Sequence, residues 1–425
     1  MKKASLQRAL LFALLFGTML MFGLVENIRG VSFPLIRDEF DLPFERQGFM
    51  VAMLSLAYVV SNIIAGIFLW RFGIKPSAFA GYSVICLGLI LVPFMPSFFP
   101  VTFALFAVFG GFGFLDVGMN ALASKVFVAK AALLMNLLHS FYGIGAIIGP
   151  RLAGFIVANT EFGWRSVYVF SLPLALLTFA LAIAARFPKD GAEAAGKTGS
   201  ASDTNSANGV NSANASSAGK DCSAGETVKR KSFFDALKTP MVWLLALALG
   251  LALVVEANTP NWAPLYFHDI HGFDPATEGA AFLSAFFLLF TVSRLICGPF
   301  VEKIGYVRSL LGVAVLTLAV FAAGFAMGPR GIFALPALGF LVALFWPTLM
   351  AVAIVSFGKD APVCAGATIA IAGIVNTAVQ FLVGLTNRAI GPAWGYRSSA
   401  VYTVLLIFVL LLLYKKLRRQ GVKRI

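Results

Sequence analysis

Residues 25–36 read VENIRGVSFPLI and residues 255–266 read VEANTPNWAPLY. Each stretch carries a glutamate, seven intervening residues and then Pro-Leu, and the second copy follows the first at an offset of 230. Working outward, the echo continues in chain order. Gln47-Gly48 answers Glu278-Gly279, and Gly66 and Gly73 answer Gly298 and Gly305. Gly163-Trp164-Arg165-Ser166 answers Gly395-Tyr396-Arg397-Ser398, where the offset has drifted only to 232. One such match carries little; four in order mark a duplicated unit.

The glutamates lie in long apolar runs. Of the 425 residues, 59% are hydrophobic and only 12% charged, where a soluble chain carries about a quarter charged. The solvent for such a surface is lipid. A bilayer-spanning helix needs about 20 mostly apolar residues. Runs of that kind occur at about 9–36, 47–70, 76–97, 100–127, 131–158 and 163–187, then at 240–267, 276–301, 306–327, 331–356, 362–389 and 395–414. The predicted fold is all-α and membrane-embedded: twelve transmembrane helices in two pseudo-symmetric six-helix bundles, 1–187 and 239–425, joined by a linker at 188–238. The linker is rich in Ala, Ser, Gly and Asn, which cannot offset the entropy of ordering, so it is expected to be disordered and cytoplasmic. Its Asn214-Ala215-Ser216 has the form of a glycosylation acceptor by chance. Lys229-Arg230-Lys231 followed by Phe233-Phe234-Asp235-Ala236-Leu237 suits a short helix on the inner membrane surface. The Met1-Lys2-Lys3 start has the outline of a signal peptide, but its apolar run lacks a small-residue cleavage pattern and continues into Glu26 and Arg29. It reads as a retained first helix.

A net charge of +14 raises nucleic acid as a partner, but its distribution points to topology. With both termini in the cytoplasm, the inner side holds Lys2, Lys3, Arg8, Arg71, Lys75, Lys125, Lys130, Lys303, Arg308, Lys359 and the basic tail from Lys415. The outer side holds Arg37, Arg46, Arg165, Arg330, Arg388 and Arg397, several offset by neighbouring acids. That asymmetry places a multi-pass protein in a bacterial inner membrane with both termini inside. The four cysteines (Cys86, Cys222, Cys297 and Cys364) and the three histidines lack ligand spacing, so neither a disulfide framework nor a metal or other cofactor is expected. No nucleophile–base constellation or phosphate loop is present, so the chain is not read as an enzyme or an ATP-driven pump. The expected partners are lipid, a small solute and a coupling ion, with the protein itself a monomer.

Twelve spans, a six-plus-six repeat, a long central loop and a short G-x6-G loop after the second and eighth helices resemble the major facilitator superfamily. Its inner-loop motif stands here as Gly66-Ile67-Phe68-Leu69-Trp70-Arg71-Phe72-Gly73-Ile74-Lys75, echoed by Gly298-Pro299-Phe300-Val301-Glu302-Lys303-Ile304-Gly305. Trp70 takes the place of the family's usual Asp, so the inter-helix charge contact of this half must be weakened or replaced. The resemblance implies gating roles for Arg71, Gly73, Arg294, Glu302 and Gly305. Leu115-Asp116-x3-Asn120, followed by Asn136-Leu137-Leu138-His139-Ser140-Phe141-x-Gly143-x-Gly145-Ala146, is similar to the fucose–galactose–glucose permease branch. That likeness implies proton coupling at the helix-4 carboxylate and sugar contact from helix 5. The branch also has a coupling Asp in helix 1 at the position of Gly30, so here Glu26 must serve.

Ionisable groups at membrane depth cost about 2.5–3.5 kcal/mol on insertion scales and are functional candidates. They are Glu26, Arg29, Asp116, Arg151, Glu256 and Arg294. Burial favours the neutral form of a carboxyl, which suits Asp116, Glu256 and Glu26 to take up and release a coupling ion. The structural alternatives are a permanent pair of Asp116 with Arg29 or Arg151, and a local Glu26–Arg29 pair one turn apart. Arg294 has a structural alternative near the inner gate, and Arg151 has no assigned role. Polar candidates for solute contact are Asn27, Asn120, Asn136, His139, Tyr142, Asn261, Asn376 and Gln380, since amides offer both donor and acceptor to hydroxyls. Trp262 and Trp346 suit stacking on a pyranose, with membrane-interface anchoring as the alternative for Trp262. The expected function is proton- or sodium-coupled symport of a small polar solute, foremost a monosaccharide, by alternating access. The alternative is proton-antiport export of drugs or metabolites, suggested by Gly145-x3-Gly149-Pro150-x3-Gly154.

Overall fold

A computed structural model describes residues 2–127, 131–188 and 233–420. Most of the expected linker, including Asn214 and Cys222, lies outside the described residues. Among them there is no strand. Twelve helices are long and apolar enough to cross a membrane: α1 Leu6–Glu39, α2 Phe44–Phe72, α3 Ile74–Phe94, α4 Phe98–Val126, α5 Leu137–Asn159, α6 Trp164–Ala184, α7 Pro240–His271, α8 Pro275–Ile296, α9 Tyr306–Ala326, α10 Ala337–Phe357, α11 Val363–Ile390 and α12 Pro392–Arg419. The expected twelve spans are thus present. The short helix Phe233–Leu237 precedes α7, with Ala236 buried beside Val242, Cys364 and Ala367 and Phe234 exposed.

Local chemistry sets the interruptions. Gly73 (φ 86°) and Gly305 (φ 101°) adopt backbone that L side chains avoid, which turns the chain from α2 into α3 and, one repeat later, into α9. The tenth span, expected as one run over 331–356, is instead broken into Gly331–Ala334, Ala337–Val342 and Phe345–Phe357. Pro336 and Pro347 supply the reason, since each lacks an N–H and crowds the carbonyl four residues back. The first span is broken at Ile28, between helical segments Lys2–Asn27 and Arg29–Glu39, so Glu26 and Arg29 flank the break. The Gly-aromatic-Arg-Ser echo survives in sequence but not in position. Gly163 precedes α6, whereas Gly395 lies inside α12. The spatial repeat is instead a hydroxyl pair: Ser32 Oγ lies 2.8 Å from Tyr168 Oη, and Thr259 Oγ1 lies 3.3 Å from Tyr396 Oη.

Glycines bring helix backbones together within and between the halves. A Cβ on Gly23 would strike the Tyr142 carbonyl, and one on Gly145 or Gly149 would strike the backbone of Leu20 or Leu24. These residues fuse α1 to α5. Between halves, α2 packs on α11 and α5 on α8. Gly48 crosses Gly384, where a Cβ would lie 2.8 Å from the partner Cα, and Gly154 crosses Ala276 and Ala280. Offsets of 232 (48 to 280) and 230 (154 to 384) carry one crossing into the other.

The same end of the molecule carries the ionic contacts between halves. Arg37 donates to both oxygens of Asp269 (2.5 and 2.7 Å), His268 Nε2 lies 3.0 Å from Asp38, and Arg388 pairs with Glu45 at 3.0 Å. Towards the other end, α4 packs on α1, α2 and α3 while α10 packs on α7, α9 and α11, each within its own half. His139 and Arg294 are exposed there. Among the described residues the ionic contacts between the halves gather at one end, and α5 also meets α8 further along, at Gly143 and Thr291.

Candidate functional site

Among the carboxylates expected from sequence, Glu26 and Glu256 lie within each other's field. Asp116 is half-buried on α4, where Oδ2 accepts from Tyr58 Oη at 2.6 Å and Oδ1 accepts from Asn120 Nδ2 at 2.9 Å. Among the described residues it has no ion pair, so the pairing with Arg29 or Arg151 does not form. Two neutral donors stand in for a cation.

Glu26, one turn before the α1–α7 crossing, is held twice. Oε2 accepts from Tyr142 Oη at 2.7 Å, and Oε1 lies 3.4 Å from Arg29. The local pair read from the three-residue spacing is therefore present. Arg29 also lies over the Phe109 ring at 5.4 Å, and its Nε is buried without a partner. Glu256 stands in the equivalent place on α7, with Arg294 and Glu26 as the charges acting on it. His139, on the exposed side of α5, lies in the fields of Asp116 and Arg294. One group of charges thus spans both halves.

Gly30, where the resembled branch carries an Asp, is closely packed. A Cβ there would lie 2.9 Å from the Pro260 carbonyl oxygen and would strike Leu283. No Asp fits at this position in this arrangement.

Asn27, Asn261, Trp262 and Gln380, four of the polar and aromatic candidates, are buried. Gln380 is fully buried and fully engaged. Its Oε1 accepts from Trp262 Nε1 (2.9 Å) and Asn261 Nδ2 (3.4 Å), while its Nε2 donates to Asn258 (3.0 Å) and Asn376 (3.3 Å). Trp262 is 1% exposed, which removes the interface-anchor alternative. Asn27 is buried and donates to Gly23 O and Tyr142 Oη. Asn120 Oδ1 and Asn261 Oδ1 are buried acceptors without partners. Trp346 is half-buried on α10, and the side chain of Asn136 lies outside the described residues. Tyr58 and Asn258 were missed from sequence. Tyr58 sits one turn from Asn62 in a mostly apolar run, and Asn258 two residues after Glu256; those were the available signals.

The comparisons with known proteins bear on this arrangement. A family model described as Major Facilitator Superfamily matches residues 14–384. The chain belongs to the Major Facilitator Superfamily. It is a multi-pass membrane transporter of that family. Curated relatives include the uncharacterized MFS-type transporter YwoD of Bacillus subtilis, 26% identical over 162 residues, which spans 38% of this chain and 35% of that protein. Bypass of stop codon protein 6 of Saccharomyces cerevisiae is 23% identical over 384 residues, 87% of this chain and 75% of that one. Solved structures with the same fold include FucP in the outward conformation (18% identity, TM-score 0.59, 94% of this chain and 98% of that one). A bacterial homologue of the human lysosomal transporter Spinster, inward-facing and unoccupied, gives 13% identity and TM-score 0.71, covering 95% of each chain. The nucleoside transporter NupG gives 11% and 0.73, covering 95% and 99%.

The superfamily's loop positions lie at the other end. Arg71 is exposed with its guanidinium 5.6 Å from the Phe72 ring, Trp70 is exposed, and Glu302 is exposed beside Gly305. Arg294 lies over Phe290 at 4.3 Å. Among the described residues, none of these gating candidates makes an ion pair or side-chain hydrogen bond between the halves.

Proposed function

We propose that the chain carries a small polar solute, foremost a monosaccharide, by proton- or sodium-coupled symport with alternating access. One observation carries this reading: a mid-span, half-buried Asp116 that has no ion pair among the described residues and is held by Tyr58 and Asn120. Binding a cation there removes the charge that would otherwise resist closure around the site. Glu26 and Glu256 are the accessory carboxylates. Asn120 Oδ1 and Arg29 Nε, each buried without a partner, offer an acceptor and a donor that suit hydroxyls. FucP, whose name as solved includes fucose:proton symporter, supports the substrate class by analogy of fold only.

The glycines at 145, 149 and 154 serve close helix packing, so they lend no separate weight to antiport. The sealed end carries more acids and the other end more uncompensated Lys and Arg, which favours an inward-facing form with both termini in the cytoplasm. Uptake of a labelled monosaccharide panel into proteoliposomes, under imposed proton or sodium gradients, tests the proposal. Asp116→Asn is expected to lose gradient-driven accumulation while retaining counterflow exchange. Accumulation equal to wild type would overturn the coupling role.

A further inference from the structure

His268 lies in the last turn of α7 and touches both halves of the molecule. Gly272 (φ 71°) ends that helix in left-handed backbone, and its N–H returns to the His268 carbonyl at 3.0 Å. The reversal brings the Phe273 carbonyl back to the ring, 3.1 Å from Nδ1. Nε2 lies 3.0 Å from Oδ2 of Asp38, which belongs to α1 and the other half. Oδ1 of the same carboxylate faces Arg37 Nη2 at 3.3 Å. Both ring nitrogens of His268 therefore face oxygen acceptors. A neutral imidazole carries one N–H and one bare nitrogen, so it can satisfy only one of them. The imidazolium satisfies both, and a cation is also favoured at a helix C-terminus.

The charged groups around this ring are committed elsewhere. On α1, Arg37 holds both oxygens of Asp269, and Glu39 pairs with Arg165 in its own half. At the start of α8, Asp274 and Glu278 accept from Thr277 and from backbone N–H groups. On α7 itself, His271 packs its ring on Tyr266 and Phe267 and, among the described residues, makes no ion pair or hydrogen bond across the halves. Arg397 of α12 donates to Tyr266 and acts on His271 rather than on His268. Histidine is the side chain whose charge ordinarily changes between about pH 5 and 8. Among the described groups that join the halves at this end, His268 alone is of that type.

We infer that His268 and Asp38 form a pH-sensitive latch between the halves. With the ring protonated, one N–H holds α7's own cap and the other holds α1. Loss of a proton sets a bare nitrogen against either Asp38 Oδ2 or the Phe273 carbonyl, and the latch weakens. Its contribution is therefore present at low pH and lost as pH rises through histidine's range. The two side chains are 29% and 41% exposed, which limits the effect to about a threefold change in the ratio of closed to open forms. Arg37 and Asp269 stay paired throughout, so the latch biases closure without deciding it alone. It needs neither the solute nor the coupling ion.

The test uses the full-length protein in lipid nanodiscs without solute, spin-labelled at Glu161 and Arg330, with distances read by pulsed electron resonance. Between about pH 6 and about pH 8, the wild-type ratio of short to long distances is expected to fall about threefold. His268→Gln should flatten that dependence. Asp38→Asn should flatten it too while keeping the short distance at both values, because an amide accepts from the charged ring and donates to the neutral one. Asp116→Asn should leave the shift in place, which separates the latch from the coupling carboxylate. A wild-type ratio that ignores pH would overturn the latch. So would an undiminished shift in His268→Gln or Asp38→Asn, or a shift that vanishes in Asp116→Asn.

Discussion

Asp116 and Gln380 are both polar residues in transmembrane helices, yet they differ in what remains free. Asp116 keeps a carboxylate that two neutral donors hold without neutralising. Removing one of those donors by Tyr58→Phe costs about 1 kcal/mol. Gradient-driven uptake is therefore expected to fall roughly fivefold and its pH profile to shift, with the solute KM unchanged. Initial rates across pH decide this. Gln380, by contrast, has no free valence. Gln380→Ala leaves Trp262 Nε1 and the amides of Asn258 and Asn376 short of partners in the interior. Its expected cost is roughly 2–4 kcal/mol of stability, read as a lower melting temperature with coupling stoichiometry intact. The charged members of the site were legible in the sequence because a carboxylate in an apolar run is costly and so conspicuous. Tyr58 and Asn258 were not. Tyrosine and asparagine are common enough in such helices that only the neighbouring helix, α4 or α11, gives them a role.

At the scale of elements, the sealed end combines small-residue crossings with ion pairs, one of them nearly buried. Arg37 and Asp269 expose 15% and 9% of their side chains, so Asp269→Asn leaves a nearly buried cation with only the exposed Asp38 at 3.3 Å and disfavours this arrangement by a few kcal/mol. Gly384→Val wedges against Gly48 and is expected to act in the same direction, by roughly 1–3 kcal/mol. Spin labels at Glu161 and Arg330, exposed on opposite halves at this end, should show a longer distance in either variant than in wild type. An unchanged distance distribution would argue that the seal is held elsewhere. Gly30→Asp should also disfavour this form, because its Cβ meets Pro260 and Leu283. Helix existence was readable from hydrophobic length alone, whereas the breaks at Ile28 and in α10 were not. Periodicity reports the apolar face that a helix presents, but a one-residue unwinding hardly alters it.

The whole molecule is two bundles whose cores are continuous within each half, joined chiefly through α2–α11 and α5–α8. If each bundle assembles by itself, cutting the chain between 189 and 232 and co-expressing the parts should give halves that co-purify and transport. Recovery of either half alone, with none of its partner, would count against that organisation. The duplication was legible from E-x7-P-L onward. Its register was less so, since the Gly-aromatic-Arg-Ser match pointed to positions that the hydroxyl pairs on Ser32 and Thr259 do not share.

The position of the Gly48–Gly384 crossing has a mechanical consequence. Gly48 lies four residues into α2, leaving 24 residues, about 36 Å of helix, beyond it. A rotation of about 10° at that fulcrum sweeps the far tip through about 6 Å, while atoms at the crossing shift by a small fraction of that. With no side chains between the two backbones to be re-sorted, the lever can swing without repacking its own pivot.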